Sequence, residues 1–318
     1  MSEHLRVIFG AVPIGNDPPF IDEDNIQLAF SLLEKHHVDT IDTAQLYGRS
    51  EQRLGEIKAG ERFLIDTKWL GGWEPGSGSK ENIVRAARES LERLGVKQVN
   101  IFYLHSPDAQ TPIEETLEGV NQVYQAGLFK RFGLSNFTAA DVEKAYGICK
   151  SRGWVLPTVY QGNYSPVARL QETLLFPALR RLGISFYAYS PLAGGLLTKT
   201  AQQVIDGVGR FADDHPGGNH FRRMFHKPSY LEALTKWEAI AAEQGCTRAE
   251  LAYRWVAANS ALDPEKGDAI VIGASSVEQL RQTLESIERG KLSEKASQGI
   301  DEIWEGIKHE AALDVFNQ

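Results

Sequence analysis

Four side chains in this sequence have types and spacing that could do chemistry together. Asp42 and Tyr47 stand in 42-DTAQLYG-48, Lys68 in 66-DTK-68 and His105 in 103-YLH-105. A phenol is a weak acid, with an ordinary pKa of about 10. A nearby ammonium favours the phenolate and lowers that value. A carboxylate beside the ammonium holds it in place and keeps it protonated in a partly dry site. A histidine, with the phenol, can hydrogen-bond a carbonyl oxygen and fix its orientation. Such a group suits one reaction, in which Tyr47 protonates a developing alkoxide while hydride arrives at carbon. General acid catalysis of this type contributes about 10² to 10⁴ in rate. Singly, each residue has an ordinary explanation: a turn or cap aspartate, a solvated lysine, a packed tyrosine, a core histidine. Their joint placement, each at or just past the end of one of three successive apolar runs, carries the reading. A Lys and an Asp at interior strand ends cost free energy unless they are paired.

Those runs belong to a longer series: 7-VIFGAVPI-14, 39-DTIDTA-44, 63-FLIDTKW-69, 98-QVNIFYLH-105, 131-RFGLSNF-137, 158-TVYQGNYS-165, 185-SFYAYSP-191 and 269-AIVIGAS-275. Most are rich in Val, Ile, Phe and Tyr, as buried strands are. Amphipathic stretches with helix start signals separate them. Asp22 precedes one, Ser79 another, Thr111 and Pro112 a third that closes at Gly127, and Thr138 with Asp141 a fourth; Val277 to Ile287 follows the last strand. Strands alternating with helices predict a parallel sheet, and eight strands are the number that closes a barrel. The fold class is therefore α/β, a (β/α)8 TIM barrel spanning residues 1–318 as a single domain. An open doubly wound sheet would want a GxGxxG turn after the first strand, which Gly10 and Gly15 do not supply. Neighbouring strands lie about 4.8 Å apart, so the ends of the second, third and fourth converge within side-chain reach. Long irregular stretches follow strand 3, at 70-LGGWEPGSGS-79, and strand 7, at roughly 193–228. Both fall at the C-terminal mouth, where barrel enzymes keep their sites.

The composition excludes several classes. Hydrophobic residues are 42% and charged residues 24%, an ordinary globular balance, and the net charge of −8 argues against nucleic acid as a partner. The two cysteines, Cys149 and Cys246, form no disulfide framework and fit a reducing compartment. No signal peptide or membrane-length apolar run is evident, so the expectation is a cytoplasmic protein with no membrane contact. No metal is expected: His36 and His37 lack ligand-spaced companions, and His215, His220 and His226 share one loop without an HExxH.

The motifs 42-DTAQLYG-48, 66-DTK-68, 104-LHSPD-108, 133-GLSNF-137, 160-YQGNYS-165, 175-LFPALRRLGISFYAYSPLAGGLLT-198 and 272-IGASSVEQL-280 resemble, in order and over nearly the whole chain, the aldo-keto reductase superfamily. Within it the sequence is most similar to the aflatoxin-aldehyde reductase group. The resemblance implies an NADPH-dependent aldehyde reductase with Asp42, Tyr47, Lys68 and His105 as catalytic tetrad and Tyr47 as the acid. It implies that Ser135, Asn136 and Gln161 hydrogen-bond the nicotinamide carboxamide and that Tyr189 stacks on the ring. Ser190, Leu192 and Gly194 would meet the pyrophosphate, and the segment from Gly273 to Thr283 the adenosine end. Where many members carry an Arg for the 2′-phosphate, this chain has Gln279, leaving Ser275, Ser276 and Arg281 as phosphate contacts. The group's substrates include aldehydes and dicarbonyls, some bearing a carboxylate. Trp69, Trp73, Tyr164 and Phe221 are candidates for an aromatic wall, with Arg222, or its neighbour Arg223, as a carboxylate contact. A homodimer is an expectation from relatives. Two alternatives stay open: a cofactor-binding regulatory subunit with little turnover, and a reductase of a secondary-metabolite pathway.

Overall fold

A computed structural model of the chain describes residues 5–215, 218–314 and 316–317. Eight parallel strands close into a barrel in sequence order: β1 (Arg6–Gly10), β2 (Thr40–Asp42), β3 (Leu64–Trp69), β4 (Val99–Leu104), β5 (Phe129–Ser135), β6 (Pro157–Asn163), β7 (Ser185–Tyr189) and β8 (Ala269–Ile272). Each lies in its sequence-predicted run or within two residues of it. β1 stops at Gly10 rather than continuing to 14, and Pro13 cannot donate to a ladder. Asp22, Ser79 and Thr138 cap the helices Glu23–Lys35, Lys80–Leu94 and Ala139–Arg152, the last through a full capping box with Asp141.

Strand alternation divides the core. One face of the strands meets the helices in a continuous apolar shell, while Ile8, Ile101, Tyr103, Val159, Tyr187, Ala269 and Val271 fill the barrel interior. The Tyr103 ring lies against Gly133 of β5, where an added Cβ would sit 2.2 Å from the ring. Three charged residues share this interior, and Asp42, Asp66 and Lys68 are all buried. The ladders place them in two levels: Asp42 pairs with Asp66, which pairs with Ile101, and Lys68 pairs with Tyr103 one step nearer the mouth.

The stretch at roughly 193–228 is less irregular than its sequence suggests. It holds short helical pieces at Ala193–Thr198, Ala201–Ile205, Gly209–Phe211 and Gly218–Phe225. Each is too short, and too closely flanked by glycine, for a 3.6-residue period to emerge. Full helices at Pro228–Gln244 and Arg248–Arg254 then lead to β8, and Glu294–Ile307 follows the barrel.

Candidate active site

Asp42 closes β2, and the chain turns at once, so that Tyr47 rises beside the end of β3. The turn is held by Asn16, whose Nδ2 donates to the Tyr47 carbonyl at 2.9 Å. The Lys68 Nζ, fully buried, donates to Asp42 Oδ2 at 2.5 Å and to the Thr43 carbonyl at 2.9 Å. Gln161 on β6 reaches across the barrel and donates to the other Asp42 oxygen at 2.9 Å. The Lys68 amine lies 5.0 Å from the centre of the Tyr47 ring, and the His105 ring meets that ring edge-on at 5.8 Å. The four residues named from the sequence thus meet on one rim.

The electrostatics correct one part of the sequence argument. Burial raises the Tyr47 phenol, and the opposing pull of Lys68 does not bring it back, since Asp42 pushes it further up; the net direction is above its ordinary value. Burial alone would lower Lys68, but Asp42, Tyr47 and Asp66 outweigh it and leave the amine above its ordinary value. Burial, aided by the Lys68 charge, pushes His105 well below its usual range, so the imidazole is neutral. Its Nδ1 is buried with no partner among the described residues.

Non-glycine residues in left-handed backbone cluster on the same rim: Asn136 after β5, and Ser190 and Ala193 after β7. Such strain persists only where the surroundings over-determine it. Both N–H donors of the Asn136 amide are used. It donates to the His105 carbonyl at 2.8 Å and to Ser135 Oγ at 3.2 Å, and it accepts from the Tyr189 hydroxyl at 2.9 Å. Ser135, Asn136 and Tyr189 therefore form one network that reaches His105, while Gln161 separately reaches Asp42. Leu192 and Gly194 follow in the turn after β7, where Gly194 has φ +67° and an added Cβ would strike the Phe221 ring at 2.4 Å. Above Gly195 and Gly273, by contrast, an added Cβ would meet nothing within 4 Å. Ser276 caps the helix Val277–Glu288, and the Gln279 side chain turns back to accept from Ser275 N at 2.6 Å. Arg281 is held between Glu278 and Glu285.

The substrate-side candidates divide. Trp73 forms part of an aromatic box, with His220 at 5.9 Å and Phe316 at 5.5 Å. Phe221 packs over Gly194 instead, and Trp69 is buried in the apolar shell. Tyr164 does not face the mouth: it is fully buried among Phe176, Phe186 and Trp255, and its hydroxyl donates to Glu172 at 2.7 Å. The strand alternation that exposes Asn163 to the interior turns Tyr164 outward to the helices. Arg222 is spent on the Phe211 carbonyl, Asn219 and Asp213. Arg223 is exposed and contacts His220 of the box.

Several residues escaped the sequence. The Asn317 amide donates to the Asn136 carbonyl at 3.0 Å, so the C-terminal tail closes over the network, and Phe316 completes the box. The sole local signal was an aspartate, Asp314, placed to accept from the amides of Phe316 and Asn317. Lys199 and Arg210 after β7 were also unmarked. Neither has a carboxylate within ion-pair distance among the described residues, and burial together with the Arg210 charge lowers Lys199. Among the described residues no group of three or more metal-ligating side chains is assembled, and no helix is long and apolar enough to cross a membrane.

Comparison with known proteins accounts for this geometry. Residues 6–305 match the model of the aldo/keto reductase family. Oxidoreductase sirO of Leptosphaeria maculans is 38% identical over 96% of this chain and 90% of its own. Aflatoxin B1 aldehyde reductase member 2 of Homo sapiens is 41% identical over 88% of this chain and 81% of its own, and member 4 is 40% identical over 95% of each. The chain belongs to the aldo/keto reductase family, as an oxidoreductase acting on small carbonyl compounds with a nicotinamide cofactor.

Proposed function

We propose that this protein reduces aldehydes to alcohols with NADPH, and that Tyr47 is the proton donor. The observation that carries the reading is the buried Lys68 amine, paired with Asp42 and held 5.0 Å from the centre of the Tyr47 ring, beside a neutral His105. A bound nicotinamide supplies the hydride. Tyr47, kept protonated by burial, holds the proton through neutral pH. Lys68 stabilises the phenolate once the proton has gone. A neutral His105 can share the carbonyl oxygen with the phenol without adding a second positive charge. Asp42, gripped by both Lys68 and Gln161, keeps the amine aimed.

The residues present fit the cofactor. Open space lies over the backbone at Gly195 and Gly273, and a capped helix N-terminus at Ser276 favours phosphate. Asn136, tied to His105, Ser135 and Tyr189, would hold the wall beside a carboxamide, and with Ser135 and Gln161, whose amide oxygen is left available, would offer it hydrogen bonds. Ser190, Leu192 and Gly194 line the pyrophosphate stretch. Arg281 is neutralised by two glutamates, so we assign the anionic contacts to Arg210 and Lys199, with Ser275 and Ser276. The Arg210 charge bears on both Tyr47 and Tyr253. The box of Trp73, His220 and Phe316 suits a flat apolar aldehyde, and Arg223 beside it suits a substrate carboxylate.

The test is NADPH oxidation followed with aromatic, dicarbonyl and carboxylate-bearing aldehydes. Tyr47→Phe should lower kcat by about 10² or more while NADPH still binds. Undiminished turnover in that variant would remove Tyr47 as donor. Tight NADPH binding without turnover of any aldehyde by the native protein would instead favour a cofactor-binding subunit.

A further inference from the structure

Asp66 lies two residues before Lys68 on the inner face of β3, fully buried. Its Oδ1 accepts from Asn100 Nδ2 at 2.7 Å and from the Ile101 amide at 3.1 Å. Its Oδ2 is buried with no partner among the described residues. In the ladder it is the direct partner of Asp42, so a second buried carboxyl lies within the electrostatic reach of the Lys68–Asp42 pair. Beside them the Tyr103 hydroxyl is likewise buried without a partner, and its ring lies 5.6 Å from the Lys68 amine, pinned by Gly133. A carboxyl in such a place is costly and contributes nothing evident to packing.

We infer that Asp66 is a further positioning residue for carbonyl reduction: a second carboxyl beneath the Lys68–Asp42 pair, whose charge state sets how strongly Lys68 draws the proton from Tyr47. The inference rests on Tyr47 as proton donor. With Asp66 neutral, Lys68 and Asp42 balance, and the amine's remaining field falls on the phenol. With Asp66 ionised, the buried trio carries a net negative charge. The Lys68 charge is then opposed by two carboxylates rather than one, and the phenol becomes a weaker acid. The other charged or titratable groups that bear on Asp66 are few. They are Arg6 on β1, which is paired with Asp39, then Asp42 on β2, Lys68 on β3, Tyr103 on β4, and, through Tyr103, Arg131 on β5 and Tyr187 on β7. Burial, with Asp42 adding to it, pushes Asp66 up to about 7, so the change falls at neutrality. Tyr47 and Lys68 are raised and His105 is held well below its usual range, so none of them titrates there.

The experiment is the pH profile of kcat at saturating NADPH and aldehyde, for the native protein and Asp66→Asn, which keeps the size and the Oδ1 acceptor. The native kcat should fall about threefold between pH 6 and 8, the effect of about one unit of phenol acidity at half sensitivity. The variant's profile should be flat over that interval, with KM for NADPH unmoved. Coincident profiles would overturn the inference while leaving the Tyr47 reading intact. Loss of activity in Tyr47→Phe without any native step near pH 7 would do the same. A second measurement does not depend on turnover. A buried carboxyl raised above its unfolded value destabilises the fold as pH rises from about 4 to about 7. The native urea midpoint should therefore fall across that window more steeply than that of Asp66→Asn, and equal slopes would count against a titrating Asp66.

Discussion

Removal of the Lys68 amine tests the electrostatic core of the site without reference to catalysis. In Lys68→Met the Asp42 carboxylate keeps one hydrogen bond, from Gln161 at 2.9 Å, and loses the 2.5 Å ion pair while remaining buried beside Asp66. Breaking a buried pair on one side costs about 3–5 kcal/mol, because the remaining charge is left uncompensated. Asp42→Asn leaves Lys68 with the Thr43 carbonyl and with Asp66 as a substitute counter-charge, so its cost should lie near the lower end. The double variant removes both charges and should cost less than Lys68→Met alone, giving a coupling larger than the Asp42→Asn cost, above about 3 kcal/mol. The assay is urea unfolding followed by tryptophan fluorescence at pH 7 for all four proteins. Against a total stability of about 5–15 kcal/mol these are large shifts. Single variants that each lose under about 1 kcal/mol, and whose losses simply add in the double variant, would show that the pair does not hold this rim.

Other outcomes follow from the same geometry. Gly133→Ala drives a methyl to within 2.2 Å of the Tyr103 ring and should cost about 1–3 kcal/mol in a denaturation curve, with most of that cost relieved by adding Tyr103→Leu. If the assignment of the phosphate contacts holds, Arg210→Met should raise KM for NADPH about tenfold with little change in kcat, whereas Arg281→Met, whose guanidinium is already shared by Glu278 and Glu285, should leave it unchanged. An Arg281→Met variant that weakens NADPH while Arg210→Met does not would reverse that assignment.

The strands were legible because a parallel barrel buries both faces of each one, and the resulting apolar runs recur between capped helices. The convergence of Asp42, Lys68 and His105 was legible for a related reason: they are polar residues at the ends of apolar runs, where burial is costly unless they are paired. What stayed hidden depends on direction and distance, which sequence spacing does not carry. Tyr164 shares an aromatic run with Gln161, yet alternation buries it against the helices. Arg222 and Arg223 are neighbours in a loop, and only folding shows which of them is spent on a backbone carbonyl. Asn317 lies 181 positions from Asn136, so no local pattern could bring the tail to the rim. The sign of the Tyr47 shift belongs to the same class. The residue types predicted an attractive lysine, but burial, which only tertiary structure supplies, outweighs it. Asp66 was visible within 66-DTK-68, but its chemistry arose only when the closed barrel buried it beside Asp42.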